Sequence, residues 1–364
     1  MITITKLATI EPVYDITVEG NENFYANGIL VHNCSEIDLP TRPLNDLNDP
    51  DGRISLCTLS AINWGNIKTT DDFERVCRLA IRGLDALLDY QNYPVLAARL
   101  STEEFRPLGV GIINFAYWLA KNDLTYQHIN ANGLALVDEW AEAWSYWLIK
   151  ASADLAVEKG ACTRVDQTKY GQGITPNQTY KKAVDELVPH VERQDWVGLR
   201  KQLKATGIRN ATTSCLMPAE TSAQVANATN GIEPPRSLIS VKQSKHGVLK
   251  QVVPEYKRLK NKYDLLWDQK SPQGYLKIMA VLQKYIDQGI STNTSHNPAF
   301  YEDEKIPMSV MLQELLMFYK FGGKQLYYFQ TNDGQGELDV NKLAGLPTLP
   351  SEDSDDGICE SCAI

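Results

Sequence analysis

Close to the start of the chain, in the stretch FYANGILVHNC, three residues with complementary chemistry stand side by side: His32, Asn33 and Cys34. The Cys34 thiol, once ionised, is a nucleophile that can accept an acyl chain. The Asn33 amide can attack its own backbone carbonyl, close a succinimide and cut the 33–34 bond; this reaction is slow unless geometry enforces it. His32 can protonate the leaving amine or polarise the scissile carbonyl. Glu36 follows Cys34 by two residues, and on an extended segment two such side chains share a face. Further on stand Cys57, the pair Tyr327-Tyr328 and a Cys359-x-x-Cys362 motif. Each also has an ordinary reading. Three residues recur by chance, Glu36 suits a solvated loop, and Cys57 between Leu56 and Thr58 suits a core strand. Two tyrosines on a strand usually pack, and one Cys-x-x-Cys is half a zinc site, with no further ligand pair to complete it.

The elements that must position these groups are legible in outline. The chain has 364 residues, 43% hydrophobic and 22% charged, enough for a large core and for two or three domains. Its net charge of −9 argues against broad binding of a nucleic-acid polymer. MITITKLATIEPV has no basic stretch followed by an apolar run, so no secretory signal is expected. No run approaches about 18 apolar residues, so no membrane span is expected. Seven cysteines, at 34, 57, 77, 162, 215, 359 and 362, form an odd, scattered set that fits a reducing cytoplasm. Cys77, Cys162 and Cys215 read as structural.

Residues 2–31 read as short strands (ITIT, VYDITV, NFYA) split by Gly20-Asn21 and Asn27-Gly28, too small a piece to hold a core alone. From Cys34 the texture changes. DLPTRPLNDLNDPDG reads as a loop and ISLCTLSAINWG as a buried strand. Residues 71–90 carry apolar side chains at 73, 76, 79, 80, 84, 87 and 88, a helical spacing behind an acidic N-terminus. Helices are also expected over 133–159, closed by Gly160, and over 308–320, followed by a strand in KQLYYFQT. Alternating strands and helices predict an α/β fold. After Pro347 the acidic LPSEDSDDGICESCAI reads as a mobile tail. Gly109-x-Gly111 in PLGVGIIN lacks the remainder of a dinucleotide fingerprint. His128, His190, His246 and His296 show no metal-ligand spacing.

The stretch VYDITVEGNENFYANGILVHNC resembles the C-terminal end of an intein, closely over residues 13–34 and loosely over 1–12. The resemblance implies that His32, Asn33 and Cys34 carry out protein splicing and that Asp15 is the acid that helps activate the junction cysteine. Glu22 stands where that family usually has histidine, so a different rate or pH dependence of splicing is expected. An intein also needs an N-terminal half with its own nucleophile and a Thr/His motif, and neither lies in the 33 residues before Cys34. The expectation is therefore a split intein that splices in trans with a second chain.

From Cys34 onward, CSEIDLPTRPLND, ISLCTLSAIN, MPAETSAQVANATNGIEPPR, KQLYYFQT and CESC form an ordered series. It resembles the large catalytic subunit of class I ribonucleotide reductase over about nine-tenths of the chain. The resemblance implies the C-terminal portion of a ten-stranded α/β barrel over 34–346, behind the short all-β segment 1–33 and ahead of a redox tail over 347–364. It further implies that Cys34 becomes a thiyl radical and takes the ribose 3′ hydrogen, and that Glu36 takes the 3′-hydroxyl proton. Cys57 would be one of two cysteines that deliver reducing equivalents, its partner lying in a missing N-terminal half. Ser35 and the loop Pro218, Ala219, Glu220, Thr221 and Ser222 would bind substrate, the loop holding its diphosphate; Ala223 replaces a serine common in the family. Tyr327 and Tyr328 would relay the radical, because phenols can exchange an electron and a proton together. Cys359 and Cys362 would re-reduce the buried disulfide and be recharged by a thioredoxin- or glutaredoxin-type dithiol. No cofactor or metal is expected on this chain; the radical would come from a metal-containing small subunit. Asn33 belongs to the intein and is not counted among reductase residues. Two outcomes compete: a trans-spliced reductase of ribonucleoside diphosphates, or an unspliced subunit complementing the N-terminal half without ligation.

Overall fold

The structure is a computed structural model that describes residues 23–26, 29–32, 36–46, 48–56, 58–244 and 247–332. On either side of Asn27-Gly28, a pair that favours hairpin turns, β1 (Asn23–Ala26) and β2 (Ile29–His32) pair antiparallel, Asn23 opposite His32. The chain then runs through a loop to β3 (Leu59–Asn63), α1 (Asp72–Tyr90), α2 (Leu96–Phe105) and β4 (Gly109–Ile113). Next come α3 (Phe115–Lys121), α4 (Ala131–Lys159), α5 (Pro176–Thr179) and α6 (Trp196–Thr206). An extended segment at 212–217 leads to α7 (Glu220–Val225), the antiparallel pair β5 (Ile239–Ser244) and β6 (Gly247–Val252), α8 (Tyr256–Leu259) and α9 (Gln273–Gln283). A second extended segment from 288 continues into β7 (Thr294–His296); α10 (Met308–Lys320) and β8 (Phe329–Thr331) follow.

The extended pieces form one parallel ribbon. β3 pairs with β4, Leu59 opposite Gly109. On the other edge of β4, Val110 N–H donates to Thr213 O (2.9 Å) and Cys215 N–H to Val110 O (3.3 Å). The 212–217 segment bonds the next: Leu216 N–H donates to Gly289 O (3.1 Å) and Ser291 N–H to Leu216 O (2.9 Å). β7 then pairs parallel with β8, Thr294 opposite Phe329. Parallel neighbours require crossovers, and helices supply them, so the predicted α/β fold is present.

Alternation along each strand separates two faces. Ile62, Val110, Ile112, Leu216 and Ile290 point outward into the main core with α1, α3, α4 and α9. Its centre is Trp64, wholly buried, with the rings of Phe73, Phe115, Trp118, Trp140 and Trp144 all centred 5.5–6.3 Å away. The helix expected over 133–159 begins two residues earlier, because the Asn130 side chain caps it by accepting Gly133 N–H at 2.9 Å. It ends at Gly160, whose φ of 86° suits glycine. The helix expected at 71–90 is α1, but its buried stripe is Phe73, Cys77, Ile81, Leu84, Asp85 and Leu88, while Leu79 and Leu87 are exposed. Asp85 holds that stripe because the Arg106 guanidinium bonds it at 2.7 Å. No helix among the described residues is long and apolar enough to cross a membrane.

The stretch read as a buried strand, ISLCTLSAINWG, is a strand only over Leu59–Asn63, and there only Ile62 is buried. Helices cover one face of β3 alone. On the inner face Gly109 and Gly111 make room for their neighbours. A Cβ on Gly109 would lie 2.4 Å from Cys215 Sγ, and one on Gly111 would lie 2.6 Å from Met217 Sδ. We therefore expect Gly109→Ala to destabilise the chain by about 1–3 kcal/mol through overpacking. Cys215→Ala in the same chain should recover part of that loss in urea unfolding.

Candidate active site

The chain enters the inner face through Glu36. Its side chain is wholly buried, and its backbone carbonyl accepts Gly289 N–H at 2.8 Å. One carboxylate oxygen, Oε2, accepts the Ser291 hydroxyl; the other, Oε1, has no hydrogen-bond partner among the described residues. A buried carboxylate oxygen left without a donor is costly, and it leaves an acceptor ready for a proton. Ile37 follows and packs against the apolar cluster that includes Ile113, Cys215, Met217 and Ala219. Asp38 N–H reaches Gln288 Oε1 (3.4 Å), and Lys324 Nζ reaches Asp38 Oδ2 (3.1 Å). The Glu36–Asp38 stretch thus lies along the 288–291 segment.

A second clasp anchors the far end of this loop. Arg42 and Arg53 exchange backbone hydrogen bonds (3.0 and 3.1 Å). Arg53 also grips Glu104 of α2 with two parallel bonds, Nε to Oε2 at 2.9 Å and Nη2 to Oε1 at 2.8 Å. That geometry is the strong form of an Arg–carboxylate pair. The Arg53 guanidinium, helped by Arg164, lowers the Glu104 carboxyl from its ordinary 4.5 to about 2.

The loop singled out for phosphate follows the 212–217 segment. Ala219 is buried, whereas Pro218, Glu220, Thr221 and Ser222 are exposed at the start of α7. Ala219 N–H donates to Asn230 Oδ1 (3.2 Å), which ties this turn to the NATNGIEPPR stretch. Asn114, just past β4, carries Thr229 on its side-chain oxygen (N–H at 3.0 Å) and donates its Nδ2 to Asn63 Oδ1 (2.9 Å). Ala223, where the resemblance suggested a lost hydroxyl contact, is buried against Cys215 and Met217. Its side chain faces the apolar cluster, not the exposed side of Thr221 and Ser222.

Tyr327 and Tyr328 stand at the other edge of the 288–296 stretch. Their rings lie 3.9 Å apart between centroids, tilted by 37°. Tyr327 N–H donates to Thr292 O at 2.7 Å. The strand expected over KQLYYFQT is regular only at Phe329–Thr331, so the tyrosines fall outside it.

Of the remaining candidates, Asp15, Glu22, Asn33, Cys34, Ser35, Cys57, Cys359 and Cys362 lie outside the described residues, and His32 is placed only as the last residue of β2. The cysteines read as structural, Cys77, Cys162 and Cys215, are all buried. Burial pushes the Cys162 thiol up to about 11 and the Cys77 thiol well above its ordinary value, so neither ionises at neutral pH. Residue spacing gave no pointer to Ser291, Asn293 or Asn114, whose partners come from distant parts of the chain. A cleft of about 710 Å³ opens where Phe105, Thr212 and Asp287 precede their strands, and none of the described candidate residues lines it. Ligands of open α/β sheets sit at the carboxyl ends of strands, the end opposite to this cleft.

These features define an α/β protein built on a parallel ribbon, with Glu36 and the 218–222 turn on the side opposite the main core. The family model of the ribonucleotide reductase barrel domain matches residues 17–329, and the chain belongs to that family. It is 51% identical over 328 residues to the ribonucleoside-diphosphate reductase subunit alpha of Buchnera aphidicola, covering 90% of this chain and 42% of that protein. It is 47% identical to ribonucleoside-diphosphate reductase 1 subunit alpha of Escherichia coli over 327 residues, with the same 90% and 42% coverage. The subunit alpha of Enterobacteria phage T4 is 42% identical over 335 residues, 91% of this chain and 42% of the phage protein. The chain thus spans about two-fifths of the length of these relatives. The family match starts 17 residues before Cys34, inside the segment that resembles an intein.

The clasp at Glu104 predicts an acid sensitivity. A carboxyl depressed in the folded state contributes stability that is complete above its unfolded value of 4.5 and is lost as pH falls toward 2. Glu104→Gln should cost about 1.5–3 kcal/mol at neutral pH. It should also flatten the dependence of the unfolding midpoint on pH between 4.5 and 2.

Proposed function

We propose that this chain supplies the catalytic centre of a ribonucleoside-diphosphate reductase and works with an N-terminal partner that completes a ten-stranded barrel. The observation that carries this reading is the convergence of two predicted groups on one stretch of chain. The buried Glu36 carboxylate takes the Ser291 hydroxyl, while Tyr327 donates its N–H to Thr292. In this reading the radical, generated at the metal site of a separate small subunit, passes through Tyr328 and Tyr327 to the Cys34 sulfur. The thiyl radical takes the ribose 3′ hydrogen, and Glu36 takes the 3′-hydroxyl proton on its free Oε1. The 2′-hydroxyl takes a proton from the thiol pair and leaves as water, and Glu36 later returns its proton to the 3′ oxygen. Cys57 and a second thiol outside this chain supply two electrons and become a disulfide, and Cys34 regains its radical when the 3′ hydrogen returns.

The substrate diphosphate lies on the Pro218–Ser222 turn, where backbone N–H groups and the Thr221 and Ser222 hydroxyls suit phosphate. Ser35 is assigned to substrate binding. Cys359 and Cys362 on the tail over 347–364 exchange with the buried disulfide and are recharged by an external dithiol of thioredoxin or glutaredoxin type. Such a thiol cycle suits a reducing cytoplasm.

Residues 1–33 are read as an intein segment that leaves by splicing. Cys34, activated with help from Asp15, accepts the acyl chain of the partner, and Asn33 then cyclises with help from His32. The product joins the N-terminal half to Cys34 through a peptide bond. A second reading has one observation in its favour: the family match reaches back to residue 17, which suits a subunit that keeps its first residues and pairs without ligation.

Intact mass spectrometry after mixing the chain with its N-terminal partner separates the two. Splicing releases a fragment ending in the Asn33 succinimide and a ligated product, and Asn33→Ala abolishes that release. Two unchanged masses would leave the second reading. In the reconstituted enzyme, Glu36→Gln should lower kcat by about 10²–10⁴-fold, the range for loss of a general base, with little change in substrate KM. Activity that survives Glu36→Gln would remove the carboxylate from the mechanism.

A further inference from the structure

Consecutive side chains of a regular strand point to opposite faces, and consecutive N–H groups point to opposite edges. Tyr327 and Tyr328 break both rules. Their rings stack at 3.9 Å, and both N–H groups turn to the same neighbouring strand. Tyr327 finds a backbone acceptor there, Thr292 O. Tyr328 finds a side chain: its N–H donates to Asn293 Oδ1 at 3.0 Å. The main-chain ladder then resumes, with Thr294 N–H donating to Tyr328 O at 2.9 Å. Asn293 therefore supplies, from its carboxamide, the acceptor that the broken pleat removes.

The same carboxamide is held from its other end. Asn293 Nδ2 donates to Glu233 Oε1, on the NATNGIEPPR stretch whose Asn230 also holds the Ala219 turn. An amide is the side chain this position needs, since one side presents an N–H and the other a carboxylate. Asn293 is only 9% exposed, so water is a poor substitute for either contact.

We propose that Asn293 is a positioning residue that, braced by Glu233, holds the Tyr327–Tyr328 backbone in the irregular form that lets the two rings stack. This rests on the reading above only in giving the stack a role in radical transfer; the structural claim stands apart from it. Without the carboxamide acceptor, Tyr328 N–H takes Thr292 O in place of Tyr327, whose N–H turns to the opposite edge; the pleat becomes regular and the rings separate.

The test uses the full chain with 3-fluorotyrosine at position 327, whose fluorine resonance reports the ring current of Tyr328, and then the enzyme reconstituted with its N-terminal partner and small subunit. Tyr328→Leu marks the unstacked resonance. Asn293→Ala should move the signal toward that position and lower kcat by about tenfold or more, the scale of a small misplacement of reacting groups, with substrate KM within about twofold. The pair Asn293→Asp with Glu233→Gln keeps an acceptor for Tyr328 N–H and a donor facing it, and should restore both readouts. A resonance unmoved by Asn293→Ala overturns the proposal, as does a folded double variant that stays unstacked. A moved resonance with unchanged kcat removes the role in catalysis. An inactive wild-type enzyme would count against the reductase reading, while the fluorine signal still decides the role of Asn293.

Discussion

Parallel pairing is the constraint on which the rest depends. A parallel ribbon cannot be joined by tight turns, so each connection must cross back, and here helices make those returns. They bury Ile62, Val110, Ile112, Leu216 and Ile290 around the Trp64 cluster and leave the opposite face of the ribbon to other parts of the chain. What occupies that face is the Glu36 loop, the apolar pocket of Cys215 and Met217, and the 218–222 turn. Core and candidate site are thus two sides of the same strands. Gly109 and Gly111 show the coupling at one residue each, since the inner face has no room there for a Cβ.

The 288–296 stretch is the common reference for Glu36 and the tyrosine pair. Its Gly289 and Ser291 hold Glu36, and its Thr292 and Asn293 hold the tyrosines. A strand inside a packed ribbon is a stiff support, and positions two residues apart on one face keep a fixed spacing. The polar clasps around it divide the work by distance. Arg53–Glu104 secures the loop that follows Glu36, and Asn114 secures the loop that follows α7.

The helical periodicities were legible because apolar spacing reports burial. Residues 308–320 are helical as predicted, and 71–90 and 133–159 differ only at their ends. The α1 stripe was misread where chemistry overrode hydropathy. Asp85 is buried by its bonds to Arg106, while Leu79 and Leu87 face outward. KQLYYFQT was read as a continuous strand because its composition is β-prone. A side chain 35 residues upstream, Asn293, takes the N–H that a ladder would have used.

Residue types alone determined which groups could react. A thiol, a carboxylate two residues on, paired phenols and a Cys-x-x-Cys carry their chemistry wherever they are placed, and their order along the chain was enough to suggest the reductase family that the comparisons then matched. Tertiary structure decided which of the described groups meet. Glu36 reads as a solvated loop acid until the ribbon brings Ser291 to one of its oxygens and removes water from the other. Ser291, Asn293 and Asn114 carry no signal of their own, because a hydroxyl or an amide has no distinctive reactivity. Their function comes from partners brought within hydrogen-bonding distance by the fold, and that distance is not written in any local stretch of sequence.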